Sequence, residues 1–164
     1  MKKLLISVAL ASMFGAMASP VMAATTASNA FDVTVNLTSQ CRQTNTGTQT
    51  VDFGPYEAFR VGAQASATNA NLTFECTRGF TPTSAAFDTV NGTAAGVGVI
   101  TGLQYALSIA APTTAAGTAA SNVTIGTGDT KTYAVSGSMP GDQAGTCAGP
   151  TCAGSHTRTL ILTF

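Results

Sequence analysis

The chain has 164 residues, no formal net charge and only 9% charged side chains. A chain of this length can form one domain with a hydrophobic core. Lys and Arg form no cluster, so a nucleic acid is not expected as a partner. The many Ala, Gly and Thr residues could suggest disorder, but regularly alternating apolar segments and four cysteines favour a folded protein.

Residues 1–23 are expected to be a cleaved signal peptide. Lys2 and Lys3 give a positively charged start, residues 4–17 are apolar, and Val21-Met22-Ala23 fits a cleavage site. A membrane anchor is the alternative, but the apolar stretch is short for one and is interrupted. The mature chain is therefore expected to be exported.

The segment 24–38 contains the first strand pattern. Its large apolar residues alternate with polar ones, which predicts a strand with one apolar face made of Phe31, Val33, Val35 and Leu37. On alternation alone, this segment would be the first strand of a self-contained domain whose remainder spans residues 39–164.

Short strand patterns separated by turn sequences follow, and no mature segment predicts a helix. The expected strands lie near 50–53, 57–61, 70–76, 84–88, 97–100, 103–110, 122–125 and 131–136. Turn sequences include Asn91-Gly92 and Pro140-Gly141-Asp142, and residues 111–120 are expected to be an exposed connection. Many short strands at this spacing indicate an all-β sandwich or barrel.

The final segment, 157–164, again consists of strand formers. Leu160, Leu162 and Phe164 fall on one face at period two. An apolar strand near each end of the mature chain would allow one copy to pass a strand to a neighbour, a recognition mode that pilin assembly uses.

Four cysteines behind a signal peptide predict two disulfides, for which three pairings are possible. Cys147 and Cys152 enclose Ala-Gly-Pro-Thr, a turn-forming sequence that favours a small closed loop. Cys41 would then pair with Cys76. A metal site is disfavoured because His156 is the only histidine.

No residue pattern points to catalysis or to a cofactor, so the chain is not expected to be an enzyme. His156 has no recognisable nucleophile beside it, and Gly154-Ser155 does not form the Gly-x-Ser-x-Gly turn of hydrolases. No spacing singles out a catalytic carboxylate pair. A surface position is therefore expected for Asp52, Glu57, Glu75 and Asp88.

Motifs in a fixed order carry a resemblance to a known family. The first are Cys41, Val-Asp-Phe-Gly-Pro-Tyr at 51–56 and Leu-Thr-Phe-Glu-Cys-Thr-Arg-Gly at 72–79. Leu-Gln-Tyr-Ala-Leu at 103–107, Val-Ser-Gly-Ser-Met-Pro-Gly-Asp-Gln at 135–143 and Thr-Leu-Ile-Leu-Thr-Phe at 159–164 follow. Together, over nearly the whole mature chain, they resemble the spore coat protein U domain, the domain of archaic (Csu-type) chaperone–usher pilus subunits.

The resemblance implies an immunoglobulin-like sandwich that lacks its final strand and is completed by the donor segment of a neighbouring subunit. Residues 31–37 would be the donor strand, and Leu160, Leu162 and Phe164 would line the groove on the strand that pairs first with a chaperone. The implied partners are identical or related subunits, a periplasmic chaperone and an outer-membrane usher. The implied product is a homopolymeric surface fibre for attachment and biofilm formation.

Two departures from the family pattern concern the approach to the last strand. His156 and Arg158 stand where the family usually has Tyr and Asp, and the loop between Cys147 and Cys152 is not expected in the family. The fold is expected to tolerate both changes, whereas a contact specific to that corner is not expected to persist. The alternative to a pilus subunit is a monomeric secreted β-sandwich that binds a ligand or coats a surface.

Overall fold

The computed structural model describes residues 28–88, 95–97 and 99–164, with the backbone alone described for 95–97. The expected signal peptide, residues 24–27 of the donor segment and the expected turn at Asn91-Gly92 lie outside these ranges. The chain divides into a segment that ends at Asn36 and a domain from Leu37 to Phe164. The two parts are described separately.

The described residues contain β-strands and no helix, which confirms the all-β class predicted from the sequence. The strands are β1 (Cys41–Gln43), β2 (Gln64–Ala65), β3 (Ala70–Cys76), β4 (Ser84–Phe87), β5 (Ala95–Val97), β6 (Gln104–Ile109), β7 (Thr113–Ala115), β8 (Asp129–Met139) and β9 (Leu160–Thr163). They form two antiparallel sheets.

The large sheet is built around β8, its longest strand. Its order is β1-β3-β8-β6-β5, and β2 and β7 also pair with β8. Val135 of β8 pairs with Ala70 of β3 and with Ile109 of β6. Both edges of β8 are therefore occupied.

The core lies on one face of this sheet. Alternate residues of β8 are buried, among them Tyr133 and Val135, each 3% exposed. Phe74 on β3 meets the Tyr133 ring edge-on, with centroids 5.9 Å apart. The period-two pattern of β8 and β3 thus places their apolar side chains in one layer.

The small sheet has two strands, β4 and β9. Their antiparallel register runs from Ser84 opposite Thr163 to Phe87 opposite Leu160. Leu160 and Leu162 are half-buried, while Ile161 between them is exposed. This alternation agrees with the predicted apolar face of the last strand.

Several predicted strands are absent or shorter than expected. Residues 31–37 form no strand, 50–53 contribute only a bridge from Asp52 to Thr68, and 122–125 belong to a turn closed between Ser121 and Thr124. Residues 57–61 also form no strand, because Phe59 has a positive φ of 61°, which a strand does not allow.

Three short strands were not predicted. β1, β2 and β7 contain only two or three residues each, too few to show a period. The expectation that 111–120 is only a connection is wrong for Thr113–Ala115, because this segment pairs with β8 as strand β7.

Both expected disulfides are present. They join Cys41 to Cys76 and Cys147 to Cys152, which confirms the pairing favoured by the turn sequence. Two disulfides indicate an extracellular or periplasmic protein. Within the described ranges, no helix has the length and hydrophobicity needed to span a bilayer.

Candidate strand-acceptor site

Strand β9 is paired along one edge. The carbonyl oxygens of Thr159 and Thr163 accept hydrogen bonds from the amides of Asp88 and Thr83, at 2.9 and 2.7 Å. Because successive residues of an antiparallel strand direct their backbone groups to opposite edges, those of Leu160 and Leu162 point away from β4. Among the described strands β9 pairs with β4 alone, so this second edge has no partner strand there.

The side chains of the predicted groove residues lie along this edge strand. Leu160 and Leu162 share its half-buried face. Phe164, directly after the strand, is 57% exposed and meets the ring of Phe80 edge-on, with centroids 6.0 Å apart. The site therefore combines backbone groups that have no partner strand among the described residues with apolar side chains that are only partly covered.

The predicted donor residues are also exposed. Residues 28–40 form neither helix nor strand. The exposed fractions of Phe31, Val33, Val35 and Leu37 are between 76% and 84%. This segment therefore has the alternating sequence of a β-strand, but it is not paired as a strand within its own chain.

An ion pair fixes the beginning of β9. Arg158 Nε lies 2.9 Å from Asp88 Oδ1, and the side chains are 9% and 12% exposed. The amide of Thr159 donates to Asp88 Oδ2 at 2.9 Å. The hydrogen bond from Arg158 and then the one from Thr159 hold the pKa of Asp88 below its usual range, against the effect of desolvation. This carboxylate therefore sets the register of β4 against β9 at their first pair.

The surface position expected for Asp88 is thus wrong. The sequence contains a signal for the partner of Asp88. Arg158 is spaced by two residues from Leu160 and by four from Leu162, so its side chain falls on the same, inward face. A mostly buried guanidinium needs a hydrogen-bonded partner. Arg158 was expected only to be a departure from a family motif, so this signal was missed.

The same guanidinium connects the small sheet to the large one. Arg158 Nη1 donates to the Tyr105 hydroxyl at 3.3 Å and its Cζ lies 5.7 Å from the centre of the Phe87 ring. The Tyr105 hydroxyl is also 3.1 Å from His156 Nδ1. His156 and Arg158, the two departures from the family motif, thus both anchor the chain that enters β9.

The arrangement is suited to binding a strand. Within the described residues, no group of three His, Cys, Asp or Glu side chains could hold a metal ion. Searches of protein-family models, curated proteins and solved structures find no match to this chain.

Proposed function

We propose that the chain is a non-enzymatic structural subunit of an archaic chaperone–usher pilus. Each copy accepts, on the free edge of β9, the donor segment of the next copy. The observation that carries this proposal is that one chain contains both an apolar strand edge with no partner among the described strands and an exposed alternating apolar segment. The completed fold is an immunoglobulin-like sandwich.

The small sheet gives a physical reason for strand donation. A two-stranded sheet is marginally stable in water, and an exposed edge strand invites aggregation. A third strand beside β9 would pair the backbone groups of Leu160 and Leu162 and cover their side chains. Donation therefore turns an aggregation hazard into a specific link.

The donor segment has the side chains for this role. Burying a large apolar side chain contributes roughly 1.5–3 kcal/mol, so Phe31, Val33, Val35 and Leu37 together contribute on the order of 6–12 kcal/mol before ordering costs. On the other face, Asp32, Thr34 and Asn36 would stay in water. A fibre with such a link at every joint would dissociate slowly.

The partners follow from the state of β9 before assembly. An unassembled subunit needs its edge covered during export, which is the role of a periplasmic chaperone, and an outer-membrane usher exchanges that strand for the donor of the next copy. Two disulfides fit passage through an oxidising periplasm. The product is a surface homopolymer for attachment and biofilm formation.

Gel mobility of unboiled and boiled material tests polymerisation. A fibre gives a ladder that collapses on boiling, whereas the alternative, a monomeric secreted binding or coat protein, gives one band in both lanes. Single bands from cells that also express chaperone and usher would reject the proposal.

Charge placed in the donor tests the mechanism. Val33→Asp and Val35→Asp put an unpaired carboxylate into a dry groove, at a cost of several kcal/mol, so the ladder should disappear. Asp32→Asn, on the polar face, is the matched control and should leave the ladder intact. Equal effects from both faces would show that residues 31–37 do not enter a groove.

A further inference from the structure

Four exposed apolar side chains have no role in strand donation. Of the large hydrophobic residues that are exposed in the described chain, six belong to the donor segment or to the β9 region. The other four are 70–94% exposed: Phe59, Val61, Val123 and Ile125. They form two pairs, each within a single loop.

The first pair, Phe59 and Val61, lies where β8 ends. The amide of Phe59 donates to the carbonyl of Gln143 at 3.0 Å, and the amide of Asp142 donates to the carbonyl of Arg60 at 2.9 Å. The loop that contains Asp142 and Gln143 follows Met139, the last residue of β8, and the loop that contains Phe59 faces it. We call this the Met139 end of the domain.

The backbone holds Phe59 in an uncommon conformation. Its φ is 61°, and that of Asp142 in the facing loop is 57°. A bulky residue at positive φ is an outlier that persists only when its surroundings impose it, and such residues cluster at functional sites. Here the two loops fix each other while the aromatic ring of Phe59 stays in water.

The second pair, Val123 and Ile125, lies in the connection from β7 to β8. The amide of Gly117 at the start of this connection donates to Asp129 Oδ1 at 2.8 Å. Asp129 is the first residue of β8 and pairs with Cys76. We call this the Asp129 end; it lies at the opposite end of β8 from Phe59.

The direction of β9 relates both ends to the donor. β9 begins near the Met139 end, because Arg158 contacts Tyr105 and the next residue of β6 pairs with Ser138. It ends near the Asp129 end, where Phe164 contacts Phe80. All seven described strand pairings are antiparallel, and antiparallel pairing is slightly more stable. An antiparallel donor therefore places Leu37 at the Met139 end of the acceptor.

Chain length then positions the body of the donating copy. Leu37 and Cys41 are four residues apart, which spans at most about 14 Å. Cys41 pairs with Cys76 at the Asp129 end of its own domain. The Asp129 end of the donating copy must therefore lie against the Met139 end of the accepting copy.

We propose that Phe59 and Val61 of the accepting subunit dock on Val123 and Ile125 of the donating copy. This inference rests on the proposed strand donation and adds a second, body-to-body contact at each joint. The contact is head-to-tail, so it can repeat at every joint of an open fibre. It limits bending at the joint, whereas the donated strand supplies the link.

Photochemical cross-linking in intact fibres tests the docking. A benzoylphenylalanine at position 59 keeps the site apolar and should cross-link to the neighbour's peptide that contains Val123 and Ile125. The same probe at Ser108, exposed in the middle of β6, is the control and should not reach that peptide. Cross-links from position 59 to other segments of the neighbour would overturn the head-to-tail contact.

Matched serine variants separate this proposal from strand donation. Phe59→Ser with Val61→Ser, and Val123→Ser with Ile125→Ser, should each leave the unboiled ladder intact and lower the persistence length of fibres in micrographs several-fold. Combining all four changes should lower it no further, because each pair removes the same contact. A normal ladder with unchanged stiffness overturns the docking alone. If the unmodified protein itself gives no ladder, strand donation is overturned and the docking with it.

Discussion

The two sheets differ in how completely their strands are paired. β8 has 11 residues, partners on both edges and a row of buried side chains, whereas β9 has four residues and pairs with β4 alone among the described strands. Regions with few buried contacts open most readily, and binding elements are drawn from them. The large sheet is therefore expected to stabilise the domain, and the small sheet is expected to open more readily.

The two sheets also use their buried carboxylates differently. Asp129 accepts hydrogen bonds from the amides of Gly117 and Gly79, both at 2.8 Å, and so ties two loops to the start of β8. Asp88 instead pairs with Arg158. Because the cost of desolvation offsets the attraction within such an ion pair, this pair can align β4 with β9 without adding much to the stability of the small sheet.

The largest loss of stability is expected in the large sheet. Tyr133→Ala removes a ring that is 3% exposed and packs against Phe74, so it should lower the free energy of unfolding by about 3–5 kcal/mol. Denaturant titration in a Val33→Asp background, which is expected to prevent the proposed polymerisation, measures this loss. Tyr133→Phe should retain most of the stability; a Tyr133→Ala variant of near-native stability would contradict the assignment of the core to β8.

The two disulfides should also differ in how much they stabilise the domain, with the larger contribution again in the large sheet. On the loop-entropy model, the bond across 35 residues from Cys41 to Cys76 is worth about 4 kcal/mol and the bond across five residues from Cys147 to Cys152 about 2 kcal/mol. Paired Cys→Ser replacements, followed by thermal unfolding, should therefore rank in that order. The reverse order would mean that the loop before β9 restrains the native domain more than β1 does.

Leu162 should matter more after strand donation than before it. In the monomer it is half-buried, so Leu162→Ala should cost about 1–2 kcal/mol, less than a fully buried leucine. A peptide of residues 28–38 should raise the melting temperature of the unmodified domain by mass action, and Leu162→Ala should weaken that peptide's binding. Ile161→Ala, on the exposed face, is the matched control. Equal binding by both variants would place the donor elsewhere.

The sequence predicts the long strands of the molecule and misses the short ones. β3 was expected at 70–76 and lies there, because seven alternating residues are enough to show the period. β8 is longer than the expected 131–136, because Asp129 at its start and Gly137-Ser138 near its end do not continue the apolar alternation. Strands as short as β2 form because β8 offers an edge to pair with. The local sequence of β2 contains no information about that edge.

The candidate site was only partly predictable for a similar reason. The apolar face of β9 follows from alternation, and the structure agrees for Leu160 and Leu162, whereas Phe164 lies after the strand and is 57% exposed. The Asp88–Arg158 pair joins residues 70 positions apart, and its formation depends on the register of β4 against β9. Phe59 was expected in a strand because its neighbours favour one, whereas the structure places it at positive φ in a loop, with its amide hydrogen-bonded to the carbonyl of Gln143.

The smallest expected effect is the response of the small sheet to acid. The pKa of Asp88 is lowered in the folded state, chiefly by the hydrogen bond from Arg158. Its contribution to stability is therefore present above the unfolded-state pKa of about 3.9 and is lost as the pH falls through the lower folded value. Asp88→Asn keeps an oxygen for the Thr159 amide and removes the charge.

The difference in unfolding free energy between the unmodified protein and Asp88→Asn should therefore be greatest near neutral pH and should shrink on acidification. Glu75→Gln is the control, since Glu75 pairs with Arg42, whose side chain is 77% exposed. Solvent and salt screen that pair, so its effect should vanish at high ionic strength while that of Asp88 persists. Denaturant titrations at neutral and acidic pH, at low and high salt, measure both. An Asp88→Asn effect that is independent of pH would show that the Asp88–Arg158 contact acts through packing, and would remove the electrostatic reason for the register of β9.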